Sequence, residues 1–241
     1  MLFAGTMRLR SVRGIRKVWR LIWSVILGRP RWGSVLILVA LAAAAFVAAP
    51  PLREPVLRAA GWVLVVDEPV GPADIIVISL DSGGAGALQA ADLVRDGIAT
   101  RVAVFRDPPS GEDFEFIRRE LPYEDASARQ IRQLALLGVT DVVQIPTREA
   151  GTEGEGQALP LWCEQHGFRS IVFVVAKDHS RRIRRVLNRV MLGYPTLVTI
   201  RPARYSRFDP DRWWETRSGV RTGITEIQKL VLEVILHPIA F

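Results

Sequence analysis

Five short apolar runs, separated by helical patterns, constrain this 241-residue chain more than any other feature. Ala73–Leu80, Arg101–Phe105, Thr140–Ile145, Ser170–Ala176 and Thr196–Arg201 are rich in Val and Ile and show little polar alternation. Strands of that kind are buried on both faces, as in a parallel sheet covered by helices on each side. The helical patterns fall where such a sheet needs its crossovers. They cover Ala85–Asp96, Glu124–Leu137, Thr152–Gln165, a basic stretch from an Asp178 cap to Leu192, and Thr222–Leu236. The expected fold is therefore α/β, a Rossmann-like three-layer parallel sheet. Arg106–Asp113, rich in Pro and Gly, is expected to be a loop. Leu57–Val66 fits either a helix or an extra strand.

A second feature precedes the sheet. Trp32–Leu52 holds about 20 uncharged, mostly apolar residues, the length a helix needs to cross a bilayer. Upstream lie Arg8, Arg10, Arg13, Arg16, Lys17, Arg20, Arg29 and Arg31, with no acidic residue. The positive-inside rule keeps residues 1–31 in the cytoplasm and exports residues 53–241. Pro50 and Pro51 are expected to end the spanning helix. The expected location is the inner (cytoplasmic) membrane, single-pass, with the C-terminal domain outside. Val47-Ala48-Ala49 also suits a cleaved signal peptide, but a cut there leaves Pro50 first, so an uncleaved anchor is the expectation. Val18–Leu27, with Trp19 and Trp23, reads as an amphipathic segment at the cytoplasmic interface.

The net charge of +7 invites a nucleic-acid partner, and its distribution removes one. Eight of the 32 Lys and Arg precede the apolar run, leaving 24 against all 25 Asp and Glu in the exported part. The basicity is a topology signal, not a nucleic-acid footprint. Cys163 is the only cysteine, which excludes an intramolecular disulfide and a thiolate metal centre. No metal ligand set is expected, and the residues name no cofactor.

In open parallel sheets ligands bind beyond the carboxyl ends of the strands. The sharpest polar cluster there is Lys177-Asp178-His179-Ser180-Arg181-Arg182. It places His179 in the first turn of a helix, with Lys177 and Ser180 as neighbours and Arg182 three residues on, where imidazole and guanidinium can converge on a phosphate or carboxylate. A surface helix capped by Asp178 is the plain structural alternative. Thr152 and Glu155 open another helix after Gly151, either as a ligand-holding pair or as a capping box. Asp81, Ser82 and Gly83 follow the first strand; Asp81 can orient a hydroxyl or water, and an ordinary tight turn explains them equally well. Trp213 and Trp214 point opposite ways, so one is expected to pack in the core while the other can lid a cleft or touch the membrane surface. No Ser-His-Asp order, zinc-protease motif or Walker loop is present.

These pieces occur in an order that resembles the YdcF-like family of bacterial envelope proteins, which includes the SanA and ElyC vancomycin-exclusion groups. The resemblance covers about Ala73–Glu226. It rests on Ala73-Asp74-Ile75-Ile76-Val77, on Glu149 with Thr152-x-x-Glu155, and on Ile171–Val175 leading to His179-x-x-Arg182. A Trp near 213 and Glu226 with Lys229 also match. It implies a Rossmann-like domain serving envelope integrity, cell-wall or lipid-carrier metabolism. The chain departs from the family in Leu80-Asp81-Ser82 and Arg106-Asp107-Pro108-Pro109, where members carry Gly-rich turns, and in Gly156, where an Asn often follows the Glu.

Two functions follow as expectations. In the first, the exported domain binds, and as an enzyme would process, a phosphorylated cell-wall or lipid-carrier precursor. Arg182 and Thr152 then hold phosphate, His179 serves as acid or base, and Asp81 or Glu155 orients a hydroxyl. In the second, the domain is a non-catalytic envelope scaffold or regulator.

Overall fold

The computed structural model describes Ala40 and residues 49–238. The chain divides into units of residues 1–54 and 55–241, and the second holds the fold. Five parallel strands, β1 (Ile75–Ile78), β2 (Val102–Arg106), β3 (Val142–Pro146), β4 (Ser170–Val175) and β5 (Leu197–Pro202), form one sheet in the order β3-β2-β1-β4-β5. This is a doubly wound, Rossmann-like arrangement. The order reverses between β1 and β4, which opens a crevice beyond their carboxyl ends.

The near-continuous apolar strands are explained by burial on both faces. Ile75, Val77, Phe105, Ile171 and Phe173 point to one side and pack with Leu159, Trp162, Cys163, Ile183 and Leu187. The last five residues belong to α5 (Thr152–His166) and α6 (Ser180–Val190). Ile76, Ile78, Val102, Val104 and Val172 point to the other side, against Ala87, Ala90, Leu93 and Leu134. Those come from α2 (Gly83–Arg95) and α4 (Ala126–Leu136). The two-residue alternation of each strand thus feeds two cores. At the amino ends, Asp74 accepts from the Arg169 and Ser170 N–H groups at 2.7 and 2.8 Å, tying β1 to β4. Those two N–H donors hold its carboxyl below the usual range. Gly156 has a packing reason, since a Cβ there would come within 2.6 Å of Val186 on α6.

Several expectations change. Pro50 and Pro51 open a helix, α1 (Pro50–Val63), and the helix they are expected to end lies largely outside the described residues. A proline in the first turn loses no hydrogen bond, because that N–H has no intrahelical partner anyway. The same helix resolves the ambiguity over Leu57–Val66. Arg106–Asp113 is only partly loop, because Ser110 caps α3 (Gly111–Arg118) through a reciprocal capping box with Asp113. The basic helix is capped by position His179, not by the Asp178 side chain, because Lys177–His179 forms a separate 3₁₀ turn. The last helix, α7 (Arg217–Leu236), starts earlier than expected, at the Thr216 cap. Among the described residues no helix is long and apolar enough to cross a membrane. The spanning run expected over Trp32–Leu52 lies outside the described residues except for Ala40 and 49–52, and Val18–Leu27 lies wholly outside them.

Trp213 organises a third, smaller core with Leu64, Phe208 and Leu230, and its indole N–H donates to the Leu57 carbonyl at 2.7 Å. It packs as expected of one member of the Trp pair. Gly61 of α1 sits against this cluster. A Cβ at Gly61 would overlap the Pro210 carbonyl oxygen and lie 2.8 Å from the Trp213 ring. Gly→Ala inside a helix usually stabilises by up to about 1 kcal/mol. Gly61→Ala is expected to do the reverse, lowering stability by about 1–3 kcal/mol through overpacking. A thermal melt checks the sign, and an unchanged or higher Tm would mean α1 does not dock as described.

Candidate functional site

The crevice at the β1/β4 switch point is an open cleft of about 960 Å³. One wall comes from the segments that leave the two strands: Asp81 to Ala85 after β1, and Ala176, Asp178 and His179 after β4. The other wall comes from Tyr205–Phe208 after β5 and from the first turns of α7, with Glu226 and Lys229 further along that helix.

His179 is the centre of the first wall. It is 5% exposed, and its Nε2 is buried with no hydrogen-bond partner among the described residues. Asp81 Oδ2 lies 3.5 Å from Nε2 and Asp178 Oδ2 lies 3.6 Å from Nδ1. A buried imidazole flanked by carboxylates on both nitrogens is an arrangement for holding and passing a proton. Burial works to raise the Asp178 carboxyl. The adjoining imidazole and Lys229 more than offset that, and it sits below the usual carboxylate range.

Glu155 stands just behind this wall. Its N-terminal position in α5 suggests a capping box with Thr152, but the structure shows no such bond. Gly151, at a φ of 88°, takes the cap position without any side-chain hydrogen bond. The freed carboxylate turns inward, is 2% exposed, and accepts from the Leu80 N–H (2.8 Å) and the Ser79 hydroxyl (3.1 Å). It therefore fixes the backbone turn that presents Asp81. Burial pushes Glu155 up to about 7, with the Asp81 charge adding to the rise; the two hydrogen bonds and His179 work against it.

The remaining sequence candidates divide. Ser82 and Gly83 line the cleft, although the Ser82 hydroxyl is spent on the Ser79 carbonyl at 2.6 Å. Thr152 is buried at the first position of α5 and does not line the cleft. Ser180 is wholly buried; its hydroxyl accepts from the Val66 N–H (2.8 Å) and lies 3.0 Å from the Lys177 carbonyl. Lys177 lines a different pocket, with Trp62, Asp67 and Arg201. Arg182 does not reach out beside His179. Its guanidinium is held by Glu226, Nη2 to Oε2 at 3.2 Å, and Lys229 binds the other oxygen of that carboxylate at 2.7 Å. Among the described residues no group of three or more His, Cys, Asp or Glu is placed to hold a metal ion. Cys163 is buried, which pushes its thiol up to about 12 and leaves it inert.

Sequence reasoning gave Asp178 only a capping role and missed Ser206, Arg207, Thr216, Ser218 and Thr222 in the far wall. Of these only the loop after β5 carried a signal, because the strand-end rule points to it; the α7 residues lie too far along the chain from His179 for any local pattern to join them.

No family model matches the chain, and no curated protein is significantly similar to it. Among solved structures, the reductase domain of the aureusimine biosynthetic cluster is 9% identical over 76% of this chain, with a TM-score of 0.30. This chain spans about half of that structure, 52% of its length.

Proposed function

We propose that the domain binds a phosphorylated small molecule in the β1/β4 cleft and that His179 exchanges a proton with it. The observation that carries this reading is the buried His179 in the lining of a polar cleft, its ring flanked by two carboxylates and its Nε2 without a hydrogen-bond partner among the described residues. A buried polar atom without a partner costs about 1–3 kcal/mol, and a ligand that supplies the missing hydrogen bond recovers it. Asp178, 3.6 Å from Nδ1, steadies the ring from that side, which leaves Nε2 to meet the ligand, with Asp81 beside it to accept a ligand hydroxyl. Glu155 supports the site indirectly by holding the turn at Ser79–Leu80.

The wider setting belongs to the same proposal. The apolar run over residues 32–52 and the basic residues before it suit a single-pass anchor in the cytoplasmic membrane, with the domain outside. The resemblance to YdcF-like envelope proteins, carried by His179-x-x-Arg182 and Thr152-x-x-Glu155, suits a cell-wall or lipid-carrier precursor as the ligand.

The test is a melting-temperature screen of the full chain in detergent against sugar phosphates, nucleoside diphosphates and prenyl phosphates, with His179→Asn alongside. A ligand held only by the folded state at 100 times its Kd adds about 2.7 kcal/mol. At least one phosphorylated compound is expected to raise the Tm of the parent by several degrees, with that rise falling by half or more in His179→Asn. If no phosphorylated compound shifts the parent, the reading fails and the scaffold role takes its place.

A further inference from the structure

Charge is divided across the cleft. The wall beside His179 carries Asp81 and Asp178, whose carboxylates repel an anion. Arg182, the cation three residues from His179, is already held by Glu226. The opposite wall differs. Arg207 is exposed on the cleft and makes no ion pair or hydrogen bond among the described residues. Lys229 lies on the same side, half exposed and sharing Glu226 with Arg182. The 20-residue α7 begins there, with Thr216, Ser218, Gly219 and Thr222 lining the cleft. Its first-turn N–H groups and dipole favour negative charge. Thr216 caps Gly219 at 3.0 Å, while the Ser218 and Thr222 hydroxyls have no partner among the described residues.

We infer that the N-terminus of α7, with Arg207, Ser218 and Thr222, is the phosphate subsite, and that the ligand spans the cleft with a hydroxylated group against Asp81 and His179. The inference rests on the proposal that the cleft takes a phosphorylated ligand, and it fixes which end goes where. Two observations carry it. Among the described residues the cleft has one cation without an ion pair or hydrogen bond, Arg207, and it lines the cleft together with the first turns of a long helix. Its other wall carries a buried, unpartnered imidazole nitrogen next to a carboxylate, a donor–acceptor pair matched to a sugar-like hydroxyl rather than to a phosphate oxygen. Arg207 is thereby a binding residue outside the His179-x-x-Arg182 motif. The phosphate can belong to a soluble sugar phosphate or to a lipid-linked one, since the subsite reads the phosphate alone.

Isothermal titration of the full chain in detergent tests this with three probes: inorganic phosphate, a hexose 1-phosphate and a long-chain prenyl phosphate. Arg207→Gln, on an exposed side chain, is expected to fold like the parent and to weaken all phosphate probes that bind by about tenfold, which is 1.4 kcal/mol. His179→Asn is expected to leave inorganic phosphate within twofold and to weaken the hexose 1-phosphate by about tenfold or more. Arg207→Lys is expected to recover part of the loss, as a cation without the bidentate fork. Whether the hexose or the prenyl compound binds tighter distinguishes the soluble from the lipid-linked source, and either supports the subsite if Arg207→Gln weakens it. Loss of phosphate affinity in His179→Asn with none in Arg207→Gln would overturn the orientation while leaving phosphate binding in place. Absence of binding by any probe to the parent would remove the proposed function as well.

Discussion

Glu155→Gln is expected to match the parent's stability at pH 4 and to exceed it by about 3 kcal/mol at pH 8. The carboxyl has an ordinary value of 4.5 when unfolded and is pushed up to about 7 by burial in the folded domain. Between those values the unfolded chain releases the proton and the folded one keeps it, so stability falls as pH rises from about 4.5 to 7 and is level above. Gln is neutral throughout and removes that slope. It also keeps the local structure, because its Oε1 can accept the Leu80 N–H and the Ser79 hydroxyl as the carboxylate does. Denaturant unfolding of both proteins at several pH values gives the difference directly, since other titrations cancel. A difference that stays flat from pH 4 to pH 8 would show that Glu155 keeps its ordinary value in the folded domain, and the turn carrying Asp81 would then rest against a full negative charge at neutral pH.

The same residue shows how far the sequence could be read. Thr152-x-x-Glu155 has the spacing of a capping box, but the cap falls on Gly151 at a positive φ that a sequence does not display, and the Glu faces inward to Ser79 and Leu80. At Ser110-x-x-Asp113 the pattern does form a capping box, yet α3 is a short surface helix with no buried residue, so little beyond the cap marks it in the sequence. The strands were legible for the opposite reason: burial on both faces writes itself as unbroken Val and Ile from 75 to 78, and as Val, Ile and one Phe from 171 to 175. The site was half legible. Asp81 and His179 follow the strands at the switch point, so topology alone brings them together. Arg207 and the start of α7 meet them only through the packing of Trp213 and Phe208, which no local motif encodes. Arg182 illustrates the converse. Its spacing from His179 is right for a shared ligand, but a carboxylate 44 residues away on α7 claims it.

That claim leads to the second large effect, expected at Glu226. The Arg182 side chain is 14% exposed and Glu226 8%, so the pair is largely out of water. Removing one partner of a buried pair leaves the other charge uncompensated, at a cost of about 3–5 kcal/mol. The two partners are not equivalent. Among the described residues Arg182 has Glu226 as its one carboxylate, whereas Glu226 also holds Lys229, which is 51% exposed. Glu226→Leu is therefore expected to destabilise by about 3 kcal/mol or more, a fall in Tm of roughly 6–12 °C for a domain of this size. Arg182→Met should cost less, because Lys229 still compensates the carboxylate. The double variant Arg182→Met/Glu226→Leu should recover most of the Glu226→Leu loss, since two apolar side chains of similar volume replace the pair. Thermal melts of the three variants give the coupling energy. If Glu226→Leu melts like the parent, Arg182 is not held by this pair and is available to a ligand beside His179. A large loss recovered in the double variant assigns Arg182 and Glu226 to anchoring α7 on α6, which sets the position of the far wall and of Arg207 within it.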